Sequence, residues 1–142
     1  MVKAFGQLDP ALGVRLVLLG EGPLREQVAG VAGVHCPGFI SDRALLARWL
    51  ASADLYVSGM ADETFGISVI EAQAAGLPVV GIAEGAIIDR VPPTLGRLGP
   101  IGDAEAIAAN IVLLLDDPAR SVMRDAARTH AATMSWDKAW SD

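Results

Sequence analysis

The sequence has little cysteine, no long apolar run and no excess of basic residues. Its single cysteine, Cys36, cannot form a disulfide within the chain and excludes a cysteine-rich metal site. Apolar runs such as "VRLVLLG" and "DLYVSG" are far shorter than the ~20 residues that cross a bilayer. No basic segment precedes an apolar stretch at the start, as a secretory signal would require. We therefore expect a cytoplasmic protein.

Basic residues are outnumbered, with Lys+Arg 11 against Asp+Glu 17 and a net charge of −6. This balance disfavours nucleic acid as a partner, because nucleic acid needs a basic face. It does not exclude a small phosphorylated ligand, because helix N-termini bind phosphate without net positive charge. Hydrophobic residues make up 52% and charged residues 20% of the 142 positions, which is typical of one globular domain.

Apolar strand-like runs alternate with helical patterns along the chain. The pattern predicts strands at residues 14–20, 34–39, 54–59 and 77–83, and helices at residues 23–30, 41–53, 65–76, 103–118 and 119–134. Ser41 is the predicted cap of the second of these helices. Because such β-α-β units make right-handed crossovers, we expect an α/β fold with one parallel sheet and helices on both faces. The segment 84–103, rich in Gly and Pro, is assigned only as a connection between the last strands.

Ligands of such sheets bind beyond the carboxyl ends of the strands, which points to the loops after Leu19 and Ile40 and to residues 58–65. The first loop reads "GEGPLRE", in which Gly20 lets the backbone turn tightly and approach a ligand. It does not complete the dinucleotide fingerprint G-x-G-x-x-G, because Arg25 stands at the third glycine position. The sequence does not decide whether this loop is a ligand site or a plain strand–helix turn.

The stretch "ETFGISVIE" places Glu63 and Glu71 eight residues apart around a predicted helix start at Phe65. Unpaired amides of Phe65, Gly66 and Ile67, together with the helix dipole, would form an anion site. Carboxylates repel phosphate but accept hydrogen bonds from hydroxyls, so the pattern indicates a nucleoside diphosphate sugar. The alternative is that Glu63 favours the helix N-terminus electrostatically and that Glu71 is a solvated surface residue.

Several motifs occur in one register: "GEGP", "GFI", the E-x7-E pair Glu63…Glu71, and "AAGLPVV" after it. With these motifs the sequence resembles, from about Ala4 to Trp136, the C-terminal, donor-binding domain of GT-B glycosyltransferases of the retaining family-4 type. The resemblance implies that residues 1–142 form a single nucleotide-sugar-binding domain. That domain would be Rossmann-like, one half of a GT-B fold, and would come from a bacterial hexosyltransferase.

The resemblance gives the two glutamates separate roles. Glu71 would bind the ribose hydroxyls of the donor, and Glu63 would contact the donor sugar. Glu63 is thus the residue assigned to the catalytic centre, as a positioning residue rather than a base, because the family retains the anomeric configuration without a well-established protein nucleophile. The family needs no metal in the reaction centre, so we expect no metal and no cofactor.

The other donor-binding assignments lie on the same predicted edge, and they are Gly20, Gly22, Phe39, Ile40, Ser58, Phe65, Gly66 and Ile67. By resemblance, the first two glycines line the diphosphate–sugar region, and the Phe-Ile step lies near the base. The amides at the helix start would hold the diphosphate. The serine ends a strand where the family usually has Pro-Ser, which makes it a candidate polar contact.

We expect parts of the family's machinery to be missing. The family carries an N-terminal acceptor-binding domain, and it places an Arg-Lys pair before the segment that corresponds to "AFGQL"; the chain begins too late to include either. We therefore expect the isolated chain to have no useful transferase activity. The family's Gly-Gly-x-x-Glu loop is altered to "EGAIID", so Asp89 stands near the usual glutamate and the choice of donor sugar stays open.

The expected partners are a nucleoside diphosphate sugar and the missing acceptor-binding domain, with the parent protein at the inner face of the membrane. Trp136 and Trp140 are expected to be exposed remnants of an interdomain contact, which would favour self-association. Other classes stay open: a non-catalytic nucleotide-binding module, a GT-B-type epimerase or phosphorylase domain, and an NAD-linked oxidoreductase, which Arg25 disfavours. The base, the sugar and the acceptor cannot be named from the sequence.

Overall fold

The computed structural model describes residues 1–62 and 64–134, in which short strands and helices alternate. The strands are β1 Leu16–Leu19, β2 Val34–Gly38, β3 Tyr56–Val57, β4 Val79–Ile82 and β5 Gly96–Gly99. The helices are α1 Val2–Phe5, α2 Arg25–Ala29, α3 Arg43–Ser52, α4 Ile67–Ala74, α5 Ile87–Arg90, α6 Ala104–Leu115 and α7 Arg120–Ala132, with a 3-10 turn at Pro10–Leu12. Every strand and helix predicted from the sequence is present with shorter ends.

The strands pair in parallel, as predicted, but as two hydrogen-bonded sheets rather than one. β1 pairs with β2, and the second sheet has the order β3-β4-β5. The two-residue β3 aligns Tyr56 with Val79 and Val57 with Val80. A strand this short has few backbone groups to support a second ladder, and within the described residues its partner is β4. The expectation of one continuous sheet is therefore wrong.

Helices cover both faces of β4, as predicted. Val80 packs with Ala4 of α1 and with Ile111 of α6, whereas Val79 packs with Val69 of α4 and with Ile87 of α5. Both valines are fully buried. Successive side chains of a strand point to opposite faces, so an apolar pair at the centre of β4 requires a helical layer on each side.

The end of α4 is a Schellman motif at Gly76, which confirms the predicted glycine stop. Leu77 N donates to Ala72 O at 3.0 Å and Gly76 N donates to Gln73 O at 2.8 Å, with Gly76 at φ +79°. The motif turns the chain directly into β4. At this turn α7 packs against α4, and the Arg128 guanidinium of α7 lies over Gly76.

The segment 84–103, which the sequence indicated only as a connection, contains α5 and β5. β5 reads "GRLG" and pairs along the whole of β4. A Cβ at Gly96 would collide with the carbonyl oxygen of Val79, so glycine is required for the two strands to approach. Glycine normally weakens a strand prediction, which is why this strand was missed.

None of the helices in the described parts of the chain is long and apolar enough to cross a membrane.

Candidate functional site

The loops that follow β1 and β2 meet at one edge. Gly20 N donates to Gly38 O at 2.9 Å, which ties the end of β1 to the end of β2. The Glu21 side chain lies over Gly38, since a Cβ there would be 2.9 Å from Glu21 Oε1, and Glu21 also pairs with Arg25 at 3.6 Å. Gly22 is exposed, and a Cβ built on it would have nothing within 4 Å. The predicted diphosphate–sugar loop is thus an open turn at the strand ends.

The step predicted to contact the base directly follows β2. Phe39 is 72% exposed and Ile40 is half-buried. An aromatic ring this exposed beside the strand ends is accessible to a ligand. The same four-residue loop leads to Asp42, which caps α3 by accepting from Ala44 N at 2.8 Å and Leu45 N at 3.2 Å. The prediction that Ser41 caps this helix is wrong, because the next residue has the side chain and backbone geometry for it.

Ser58 directly follows β3 and begins the loop that leads to α4. Its amide donates to Val80 O at 2.9 Å, and the residue is only 5% exposed. It therefore lies at the predicted edge but under its surface. Its assignment as a polar contact stays a prediction.

The helix predicted to start at Phe65 starts two residues later. Gly66 is its N-cap, with φ +66° in the left-handed region, and α4 begins at Ile67. The amides of the first turn are therefore those of Ile67, Ser68 and Val69, and Phe65 lies outside the helix. Of the three amides predicted to bind phosphate, only that of Ile67 lies in the helix and that of Gly66 belongs to its cap, while their binding role stays a prediction. The physical reason is that a left-handed residue cannot continue a right-handed helix, so it marks the boundary.

The start of α4 remains a suitable place for an anion. The first turn contains no acidic residue, and Ile70 N donates to Gly66 O at 2.9 Å, which closes the first helical bond. Phe65 and Ile67 are 69% and 56% exposed, so the approach to this turn is open. The positive end of the helix dipole favours negative charge there.

Glu71 lies on α4 one turn after Ile67 and is held by an arginine from another helix. Arg43 Nη2 donates to Glu71 Oε1 at 2.6 Å. The Glu71 side chain is 31% exposed and that of Arg43 is 77% exposed. Its carboxylate is therefore partly covered and paired, and the choice between a ribose contact and a surface residue stays open.

The sequence analysis did not identify Arg43 as a residue of the candidate site. It is 28 residues from Glu71 and is the first residue of α3, directly after the cap Asp42. The only sequence signal was its position, immediately after the loop predicted to contact the base. No local periodicity connects it with the glutamate.

Three residues singled out in the sequence, Glu63, Trp136 and Trp140, lie outside the described residues. The sugar-contacting role of Glu63 and the self-association expected from the tryptophans stay predictions. Asp89 lies on α5, in its first turn and exposed, in the segment that follows the carboxyl end of β4. It thus belongs to the same edge as the other assigned residues.

Two shallow recesses lie away from these residues. One, of about 380 Å³, is bordered by Leu45, Arg48, Trp49 and Ser52 on α3. The other, of about 640 Å³, lies between α1 and the start of α6, with Lys3 and Glu105 on its sides. Neither of these two recesses is bordered by an assigned donor residue, and the candidate site is an edge with exposed residues such as Phe39 and Phe65. In the described ranges, no group of three or more His, Cys, Asp or Glu side chains is arranged to hold a metal ion.

A family model described as "Glycosyl transferases group 1" matches residues 1–117. The GDP-mannose-dependent alpha-(1-6)-phosphatidylinositol dimannoside mannosyltransferase of Mycobacterium tuberculosis is 35% identical over 134 residues, covering 92% of this chain and 35% of the relative. The sulfoquinovosyl transferase SQD2 of Arabidopsis thaliana is 30% identical over 138 residues, covering 91% of this chain and 27% of the relative. The chain thus spans about a quarter to a third of the length of these relatives.

Solved structures share the fold. The catalytic domain of a cholesterol-alpha-glucosyltransferase from Helicobacter pylori matches with a TM-score of 0.81 at 21% identity, covering 94% of this chain and 87% of that one. HepE of Anabaena, in complex with UDP and glucose, matches with a TM-score of 0.78 at 23% identity, covering 93% of this chain and 39% of that one. The α/β, Rossmann-like fold class predicted from the sequence is confirmed.

Proposed function

The chain belongs to the group 1 glycosyl transferases, with the GT-B fold class, and we propose that it is the donor-binding half of a retaining enzyme that transfers a sugar from a nucleoside diphosphate sugar to an acceptor. One observation carries the proposal: the carboxylate of Glu71 stands one turn behind the open N-terminus of α4. A site that offers an anion-binding helix start and, beside it, a carboxylate suits a ligand with a phosphate and a diol.

The ligands of similar proteins support a nucleotide sugar as the partner. HepE of Anabaena was crystallised with UDP and glucose, and the mycobacterial relative is GDP-mannose-dependent. These proteins use different bases, so the base that this chain takes stays open between uracil and guanine. UDP and GDP are therefore both suitable probes.

In this proposal, different residues at the edge contact different parts of the donor. The first-turn amides of α4, from Ile67 onward, face the diphosphate, and the loop at Gly20 and Gly22 lies along the diphosphate–sugar region. The exposed ring of Phe39 packs on the base. Glu71 accepts hydrogen bonds from the ribose hydroxyls, and it stands clear of the phosphates by roughly one helical turn, about 5 Å.

Transfer breaks the bond between the anomeric carbon and the diphosphate oxygen and forms a bond from that carbon to the acceptor hydroxyl oxygen, whose proton is released. The diphosphate departs with negative charge, so positive groups that face it lower the barrier. In this chain the start of α4 supplies such a partial charge. Glu63, in our proposal, hydrogen-bonds the sugar and positions it without taking a proton.

The acceptor site lies, in this proposal, in the part of the relatives' length that the chain does not span. An open edge without a second wall leaves the reacting carbon in water, so we expect the isolated chain to bind donor without transferring sugar. The mycobacterial relative acts on a phosphatidylinositol derivative, by its name. We accordingly propose a cytoplasmic parent that works at the inner face of a membrane.

The test is a calorimetric titration of the chain with UDP and with GDP, repeated on Glu71→Ala. Loss of a charged acceptor for two hydroxyls is expected to weaken binding about tenfold or more. The matched control is Glu105→Ala, an exposed glutamate of α6, which is expected to leave the affinity unchanged. Equal affinity of Glu71→Ala and the wild-type chain would refute the ribose assignment.

A second assay concerns activity. The isolated chain is mixed with a competent donor and a lipid acceptor, and the products are followed by mass spectrometry. No sugar transfer is expected. Clear turnover would contradict the proposal that the isolated chain binds donor without transferring sugar. An epimerised donor would favour the epimerase alternative instead.

A further inference from the structure

Arg43 and Glu71 form the only ion pair at the candidate edge that joins two helices within residues 1–62 and 64–134. On the basis of the proposed function, we propose that Arg43 is a positioning residue that orients the Glu71 carboxylate for the ribose diol. Arg43 Nη2 donates to Glu71 Oε1 at 2.6 Å, a close contact between oppositely charged groups.

Both backbones that carry this pair are firmly held. Arg43 is the first residue of α3, whose start is set by the two hydrogen bonds that Asp42 accepts from Ala44 N and Leu45 N. Glu71 is followed on α4 by Ala72 and Gln73, which are both fully buried. The side chains therefore bridge two anchored points, so the contact sets where the carboxylate points.

The chemistry leaves room for a ligand. An ionised carboxylate offers about four acceptor positions on two oxygens. Arg43 occupies one of them on Oε1, which leaves Oε2 and the rest of Oε1 for two hydroxyl donors. A glutamate without this contact samples several rotamers, and it must be ordered by the ligand itself when the ligand binds.

The exposure of the pair argues against a mainly structural purpose. The Arg43 side chain is 77% exposed, and exposed ion pairs contribute little to folding stability. A contact that matters little for folding but restrains the carboxylate assigned to the ribose matters for recognition. The opposite arrangement, in which Arg43 competes with the ribose for Glu71, predicts the opposite sign for its removal.

The experiment measures affinity for UDP, GDP and 2′,3′-dideoxy-UDP in the wild-type chain and in Arg43→Ala, Arg43→Lys, Glu71→Gln and the Arg43→Ala/Glu71→Gln double variant. The matched control is Arg48→Ala, an exposed arginine five residues further along the same helix. Thermal unfolding of each variant checks that it folds.

We expect Arg43→Ala to weaken the tighter-binding nucleotide about two- to fivefold, with partial recovery in Arg43→Lys. Dideoxy-UDP, which has no diol, is expected to bind Arg43→Ala and the wild type equally. The double variant is expected to be no weaker than Glu71→Gln, because the arginine acts through the glutamate. Arg48→Ala is expected to match the wild type.

Two results would overturn this role while leaving the proposed function intact. Tighter binding by Arg43→Ala would make Arg43 a competitor of the ribose. An equal loss for UDP and dideoxy-UDP would mean that Arg43 acts on the phosphates by its charge. If the wild-type chain binds neither UDP nor GDP, the proposed function fails and this role fails with it.

Discussion

The guanidinium of Arg128 on α7 occupies the space that a side chain at position 76 would need. A Cβ built on Gly76 would lie 2.6–2.8 Å from three guanidinium atoms of Arg128. Arg128 in turn donates to Asp125 at 3.0 Å on the same helix. The glycine that ends α4 thus also permits α7 to pack on α4, so two separate physical constraints act on one residue.

Replacing Gly76 with alanine is expected to cost about 1–3 kcal/mol of unfolding free energy, because φ +79° disfavours a Cβ and Arg128 must move. Urea unfolding measures it. The control is Gly30→Ala at the end of α2, where φ is −83° and a Cβ meets nothing within 4 Å. We expect that control to be neutral or slightly stabilising. Adding Arg128→Ala to Gly76→Ala should recover only the part of the lost unfolding free energy that comes from the steric clash. Full recovery would show that the positive φ at position 76 costs nothing.

Gln73 of α4 is fully buried and its Nε2 donates to Arg90 O at 2.7 Å, while its Oε1 has no hydrogen-bond partner among residues 1–62 and 64–134. Truncation in Gln73→Ala leaves a cavity and an unpaired carbonyl, and is expected to cost about 2–4 kcal/mol. Gln73→Met keeps the volume and removes the unpaired oxygen, so it should cost clearly less. If the two variants unfold at the same urea concentration, the hydrogen bond dominates and the volume is unimportant.

Asp42 caps the helix that carries Arg43, so its loss should affect both stability and binding. Asp42→Ala is expected to cost about 1 kcal/mol and to weaken UDP or GDP binding, because the start of α3 frays. Asp103, which caps α6 by accepting from Ala106 N at 2.8 Å, provides the control. Asp103→Ala should cost a similar stability and leave the affinity unchanged. Equal affinity of the two variants, measured by calorimetry, would contradict a link between α3 and the nucleotide.

Gly66 places the first turn of α4 through its left-handed backbone. Gly66→Ala is expected to cost about 1–2 kcal/mol and to reduce affinity for UDP or GDP more than affinity for the nucleoside, because the displaced amides no longer face the diphosphate. Gly13→Ala is the control, since Gly13 has φ +62° with nothing within 4 Å of a Cβ and ends the 3-10 turn. It should carry the same backbone strain and bind normally. A parallel loss of affinity in both variants would trace the effect to general instability.

Several features were predictable because they depend on near neighbours in the chain. The alternation of apolar strands with helical patterns follows from periods of 2 and 3.6 residues, and the structure contains every predicted element. The stop at Gly76 was predictable as well, because a Schellman motif depends on residues within six positions. The loops predicted to carry the site do follow the strand ends.

Other features could not be predicted because they depend on contacts between distant residues. β5 was missed because its glycines are required by the Val79 carbonyl of another strand. The start of α4 was placed two residues early because the sequence does not reveal that Gly66 is left-handed. The Arg43–Glu71 pair spans 28 residues and two helices.

The amino-acid sequence by itself determined the α/β architecture, the strand ends proposed to carry the site and the two glutamates that the family motif marks, because periodicity and short motifs are local. Only the tertiary structure decided which partners those residues have. The pairing of Glu71 with Arg43, the packing of Arg128 over Gly76 and the division into two sheets all depend on how separate helices and strands meet in space. Such contacts depend on how the whole core packs, and no short stretch of sequence determines that packing.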